Sequence, residues 1–215
     1  MSLVELGGKP EGYYEQDRAE LVRLLPWPLG RVLDVGCGAG GTAGPLRAAG
    51  AERLVGIELD PDAAERARQT FDAVHTGRAE EAVAGLEERF DTILCYDLLE
   101  HLTDPAALLV ALGGVAAERA RLHVSVPNAR HWTLARDLVL RGTFGYGEAG
   151  HRDKTHLRWF TRRDLVGLLE ATAWPVVAVQ HGELRAVSRL AARLTRGLSV
   201  EFLVYQLAAL AQRSS

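Results

Sequence analysis

RVLDVGCGAGG, residues 31–41, is a compact β-branched run that ends in glycines. Such a run reads as a buried strand turning sharply into a helix. Two registers fit its glycines. Gly36, Gly38 and Gly41 spell G-x-G-x-x-G, the phosphate-binding turn of nicotinamide and flavin proteins. Asp34, Gly36, Gly38 and Gly40 spell D-x-G-x-G-x-G. The acid discriminates between them. A dinucleotide sets an anionic pyrophosphate on this turn, and a carboxylate about 4–6 Å away would oppose it by roughly 1–4 kcal/mol. A ligand carrying an ammonium and a sulfonium suits the same place, and S-adenosylmethionine (SAM) carries both. Glu58 ends the next apolar run, RLVGIEL (53–59). An acid there can accept hydrogen bonds from ribose hydroxyls, which supports a nucleoside of either kind.

Outward from this stretch, strands and helices alternate. GTAGPLRAAG (41–50) reads as a helix that stops at Gly50. Asp60 followed by Pro61 is an N-cap with proline at the first helical position, opening PDAAERARQTF. DAVHTG (72–77) and DTILCYD (91–97) are strand-like, and Asp104–Pro105 repeats the cap before PAALLVALGGVAAE. ARLHVSVPN (120–128) alternates and stops at Pro127. Five strands interleaved with helices imply a parallel sheet with right-handed crossovers. Thr161 and Asp164 form a capping box before DLVGLLEATA. WPVVAVQH (174–181) and SVEFLVYQLAALA (199–211) read as two late strands, an antiparallel pair at one sheet edge. Residues 129–160 form a polar, aromatic insertion, and no linker divides the chain into domains, so residues 1–215 read as one domain.

Composition agrees with an ordinary α/β domain: 215 residues, 47% hydrophobic, 25% charged, net charge −3. Cys37 and Cys95 lie in apolar contexts and are no disulfide scaffold; free thiols fit the cytoplasm. No signal peptide opens the chain, and no apolar run approaches the roughly 20 residues needed to span a bilayer.

VLDVGCGAGG, LVGIELDPDAAERAR and FDTILCYDLLEHLTDP, in this order, resemble successive motifs of class I SAM-dependent methyltransferases. The resemblance spans about residues 13–181 and is near the branch of ubiquinone-biosynthesis-type O-methyltransferases. It implies a Rossmann-like doubly wound α/β fold, a seven-stranded, mostly parallel sheet ending in an antiparallel hairpin. It implies that the loop of Asp34, Gly36, Cys37, Gly38 and Gly40 lines the methionine part of SAM. Glu58 would bind the ribose and Leu59 pack on the adenine. Arg78 stands where this family often has an acid for the adenine amino group, leaving the backbone of Arg78 and Ala79 to serve. Tyr96 and Asp97 would lie under the methyl-transfer site, and Tyr13 and Tyr14 resemble aromatics that cover SAM.

Methyl transfer needs alignment, exclusion of water and, for a hydroxyl acceptor, removal of a proton. Within DLLEH, Asp97, Glu100 and His101 would share one face if the turn is helical. This resembles a metal-binding pattern of some methyltransferases. The reading adopted is that Glu100 and His101 are hydrogen-bonded residues shaping the pocket, with no metal. The insertion supplies His131, His151 and His156, of which His156 and His151, with His101, are the candidate catalytic groups. HRDKTHLRWFT looks like a recurring segment of the same branch, here expected as a loop or lid. The insertion mixes arginines with aromatics, which invites an RNA reading. Asp137, Glu148 and Asp153 dilute that charge. LRAVSRLAARLTRG (184–197) is read as a surface helix.

The expectation is therefore a SAM-dependent methyltransferase acting on a small molecule, anionic or glycosylated, at oxygen. No stable nucleic-acid partner is expected. The rivals are an RNA or protein methyltransferase, an NAD-dependent oxidoreductase and a SAM-binding protein without turnover.

Overall fold

A computed structural model describes residues 17–148, 150–181 and 200–213. Seven strands form one sheet in the order β3-β2-β1-β4-β5-β7-β6. β1 (Gly30–Val35), β2 (Ala51–Glu58), β3 (Ala73–Thr76), β4 (Phe90–Tyr96) and β5 (Ala116–Pro127) run parallel. β7 (Gln206–Gln212) pairs antiparallel with both β5 and β6 (Val176–His181). Sequence order reverses between β1 and β4, so the crevice beyond their carboxyl ends is where such sheets bind ligands. Asp34, Glu58 and Asp97 all reach that edge.

The connecting helices form where the sequence caps them. Asp60 accepts a hydrogen bond from the Ala63 amide at 2.8 Å and starts α3 (Pro61–Ala67). Asp104 does the same from Ala107 at 3.0 Å and starts α5 (Pro105–Val115). Thr161 and Asp164 close a complete capping box on α7 (Arg162–Ala171). α1 (Ala19–Val22), α2 (Ala43–Ala48) and α4 (Ala79–Ala84) are short. Apolar side chains fill both faces of the sheet. Leu33, Val35, Ile57, Ile93 and Leu122 belong to one cluster, and Val32, Leu54, Leu94, Leu46 and Leu29 to the other. Trp174 is fully buried in the first, its indole N–H donating to the Leu109 carbonyl at 2.8 Å.

Three expectations need correction. Residues 199–205 read as strand, yet Val200–Leu203 is a helix and β7 begins at Gln206. Asn128 accounts for it: its side-chain amide donates to the Glu201 and Val204 carbonyls at 2.7 and 2.9 Å. Tertiary bonding overrides β propensity there. Second, β5 starts at Ala116, directly after α5 and four residues before the alternation begins. Third, HRDKTHLRWFT, expected as a loop or lid, opens with a single 3₁₀ turn, Gly150–Arg152. Ahead of it the insertion carries α6 (Trp132–Arg141), anchored by the buried Asp137, on which Arg136, Arg141 and Arg152 converge. Tyr13, Tyr14 and 184–197 lie outside the described residues.

Candidate active site

The glycine loop adopts the D-x-G-x-G-x-G register. Gly36, Gly38 and Gly40 all have positive φ (81°, 57° and 86°), whereas Gly41 does not. At Gly40 a Cβ would stand 2.6 Å from Thr70 Oγ1 and 3.1 Å from Ala67 Cα, so the position is closed to any side chain. The loop amides are committed inward. Gly36 and Cys37 donate to the Ile57 carbonyl at 2.8 and 3.1 Å, Gly38 donates to Glu58 Oε2 at 2.8 Å, and Gly40 donates to the Cys37 carbonyl at 3.0 Å. A pyrophosphate-binding turn instead points free amides at its anion.

Two buried carboxylates flank this loop. Asp34 is 1% exposed and accepts the Thr42 hydroxyl at 2.6 Å. Burial pushes its carboxyl up to about 6; the Thr42 bond opposes this, Glu58 adds to it and Arg18 opposes it. Glu58 accepts from the Asp60 amide at 2.9 Å as well as from Gly38. Burial raises it too, against the pull of those amides. Each oxygen keeps a lone pair for a hydroxyl donor. Leu59, 43% exposed beside Glu58, offers an apolar face. Arg78 is exposed, with its guanidinium 3.7 Å from both Glu80 and Glu81. Cys37 and Cys95 are buried thiols, pushed above the range in which a thiolate forms near neutrality. Tyr96 is buried, its hydroxyl 2.8 Å from His123 Nδ1, and His123 Nε2 meets Gln180 Oε1 at 2.9 Å. Burial holds His123 down at about 4, so this ring is neutral. That network was not anticipated from the sequence; its only signal is a histidine inside the apolar run HVSV.

Beyond β4 the chain turns into a second cavity of about 260 Å³. Arg18, Asp97, Glu100, His101, Asp153 and His156 line it, with Gln206 and Tyr205. The segment abuts the glycine loop: a Cβ on Gly36 would meet Leu98 at 3.5 Å. Asp97 departs from expectation. Its φ of 48° takes it out of the turn Leu99–His101, so it shares no helical face with Glu100 and His101. Instead it pairs with Arg18 and accepts from Gln206 at 2.6 Å. His156 takes its place beside Glu100 and His101, and one donor atom from each of these three lies within 4.8 Å of the others. The insertion brings it there, because the Leu157 and Arg158 amides donate to the Glu100 carbonyl at 2.8 and 3.1 Å. His101 Nδ1 lies 3.3 Å from the Thr155 carbonyl, and its ring meets His156 edge to face at 4.7 Å.

Two site expectations change. Glu100, expected to be hydrogen-bonded, is 1% exposed and neither of its carboxyl oxygens has a hydrogen-bond partner among the described residues. His151 stands apart from the cavity lining. Its Nε2 bonds the Tyr205 carbonyl at 2.7 Å, it stacks on His131, and burial holds it down at about 4.

The comparisons agree with this geometry. A methyltransferase-domain family model matches residues 12–179. A ubiquinone biosynthesis O-methyltransferase of Cereibacter sphaeroides is 37% identical over 108 residues, covering 45% of this chain and 42% of that one. One from Xylella fastidiosa is 34% identical over 114 residues, covering 49% and 45%. The chain thus spans less than half the length of these curated relatives. Among solved structures, a SAM-dependent methyltransferase from Archaeoglobus fulgidus superposes with a TM-score of 0.70 at 19% identity, covering 91% of this chain and 92% of that one. The magnesium protoporphyrin IX methyltransferase of Synechocystis PCC 6803 with bound SAH gives 0.60 at 21%, covering 87% and 75%. The switch-point crevice, the acid-flanked glycine loop and the matched family model lead to one assignment: the chain belongs to the methyltransferase-domain family, the SAM-dependent methyltransferases of this Rossmann-like fold.

Proposed function

We propose that this protein transfers the methyl group of SAM to an oxygen of a small-molecule acceptor. The observation that carries the reading is the charge of the cleft. Asp34, Glu58 and Asp97 lie at the carboxyl ends of the strands, with Glu100 and Asp153 in the cavity beyond β4, and among the described residues Arg18 is the one lysine or arginine of that lining. That edge suits a ligand bearing an ammonium and a sulfonium and repels a pyrophosphate. Asp34 and the loop take the methionine end, Glu58 the ribose and Leu59 the adenine. His101 and His156 face the acceptor, and His151 supports the wall behind them. The names of the curated relatives support oxygen as the receiving atom.

An RNA acceptor is the less supported reading, because the insertion's cations are engaged within the chain. Arg136, Arg141 and Arg152 meet Asp137, Lys154 meets Glu148, Arg130 meets Glu201 and Arg158 meets the Thr103 carbonyl. We place the reaction in the cytoplasm, in keeping with two free cysteines. Among the described residues no helix is long and apolar enough to cross a membrane.

Thermal unfolding with SAM, SAH and NAD at matched concentrations tests the cofactor. A ligand at about 100 times its Kd stabilises by roughly 2.7 kcal/mol. SAM and SAH should raise Tm and NAD should not; a rise with NAD alone would refute the reading.

A further inference from the structure

Glu100 is an anomaly within the cavity. A buried carboxyl normally finds partners, and leaving one bare is unfavourable. Its backbone carbonyl is used twice, by Leu157 and Arg158, so the turn is fixed while the buried carboxyl at the cavity wall has no hydrogen-bond partner among the described residues. The carboxyl therefore stands ready for a group that arrives from outside the chain. That group lacks negative charge. Asp97 faces Glu100 from the end of β4, Asp153 and His156 from the insertion, His101 from its own turn and Arg18 from α1. Tyr205 and Gln206 complete the wall. Arg18 already pairs with Asp97, so this guanidinium is not spare to hold an anion.

We propose that Glu100 is a catalytic residue that takes the proton of the methyl acceptor, and that the acceptor presents an uncharged hydroxyl to the cavity floor. The inference rests on the SAM reading above. In the transfer, a lone pair of the hydroxyl oxygen forms the O–C bond as the C–S bond breaks. The C–S electron pair remains on sulfur, leaving neutral SAH. The hydroxyl proton passes to the Glu100 carboxylate. One positive sulfonium and one negative carboxylate thus disappear together, and the step needs no co-reactant. The order also fits the empty cavity. Burial, with Asp97 and Asp153, holds the Glu100 carboxyl well above the ordinary carboxylate range, and Arg18 only partly opposes this. An arriving sulfonium supplies the opposite charge that favours the ionised form.

This gives a test that needs no acceptor. SAM and SAH share the ammonium that Asp34 would face and the ribose that Glu58 would hold; they differ at the sulfonium. Titration calorimetry of the full chain, repeated in buffers of different ionisation enthalpy, counts the protons released by each ligand. Wild type should release up to one proton more with SAM than with SAH across the neutral range. Glu100→Gln should bind both ligands with the difference abolished, and Glu100→Asp, which keeps a carboxyl, should restore part of it. Once an acceptor is in hand, Glu100→Gln should lower kcat about 10²–10⁴-fold with SAM affinity retained. Equal proton release by SAM and SAH in wild type would overturn the proposal, as would an unchanged difference in Glu100→Gln. Manganese binding to the wild type that Glu100→Gln abolishes would assign the carboxyl to a cation and overturn it too. Binding of neither SAM nor SAH would instead sink the cofactor reading itself, and this inference with it.

Discussion

Replacing Asp34 with asparagine should make the empty protein more stable at neutral pH and less stable in acid. Asp34 is buried, and its carboxyl rises from 3.8 to about 6 on folding. A carboxyl raised in this way adds stability that is fully present below the unfolded value and is lost as pH climbs through the folded one. The rise from 3.8 to about 6 corresponds to about 3 kcal/mol, with roughly half of that already incurred by about pH 5. Asparagine carries no charge and escapes this cost. Its amide oxygen can still accept the Thr42 hydroxyl that Asp34 holds at 2.6 Å, but its NH₂ enters a site with no acceptor provided for it, at about 1–2 kcal/mol. Asp34→Asn should therefore gain about 1–2 kcal/mol over wild type above about pH 6 and lose a similar amount below about pH 4. Urea unfolding of the ligand-free proteins at several pH values measures the difference. His123 and His151 also titrate in acid, and because both proteins contain them they cancel. SAM should stabilise wild type far more than the variant, since the cationic ligand end loses its counter-charge. A stability difference that keeps one sign and one size across the range would refute the argument.

Three further outcomes follow from single contacts. Glu58→Ala removes the acceptor of both the Gly38 and Asp60 amides and should lower stability by about 1–3 kcal/mol while shrinking the SAM-induced Tm rise; an unchanged rise would remove Glu58 from the ribose. Gly40→Ala should cost about 1–3 kcal/mol, because φ is 86° and the Cβ would press on Ala67, whereas Gly44→Ala in α2, where a Cβ meets nothing within 4 Å, should be neutral or gain up to about 1 kcal/mol in the same denaturation assay. Trp174→Phe removes the indole bond to the Leu109 carbonyl, which keeps its place in α5, and leaves a small void; a loss of about 1–3 kcal/mol is expected, and a loss under about 0.5 kcal/mol would show the indole bond to be immaterial.

The glycine loop and its flanking acids were legible because these residues are close in sequence and each has a backbone reason. Asp34 lies one residue before the end of β1, positive φ at 36, 38 and 40 demands glycine, and Glu58 ends β2 two residues beyond Gly56, the partner of Asp34. Periodicity and caps located the same elements because Asp60, Asp104 and Thr161 each make the bond their identity suggests. The failures share a cause as well. The run 199–205 has strand composition, yet its carbonyls are claimed by Asn128, more than seventy residues earlier. A local pattern holds no trace of such a partner.

The cavity beyond β4 shows the same limit more sharply. Spacing alone grouped Asp97 with Glu100 and His101, on the assumption of a continuous helical turn. One residue with positive φ breaks that assumption, and Arg18, Ser125 and Gln206 hold Asp97 in its new direction. The place beside Glu100 is taken by His156, delivered by a segment tied to the turn by two backbone amides on the Glu100 carbonyl and by Thr155 on His101. Five separated stretches therefore build one cavity: α1, the end of β4 with its turn, the end of β5, residues 150–156 and the start of β7. Substituting any one of them alters the wall while leaving the glycine loop intact. On the proposed reading, such a chain can change the molecule it methylates without changing the methyl donor it binds, because the glycine loop meets the cavity through Gly36 and Leu98 and through Arg18, which acts on both Asp34 and Asp97.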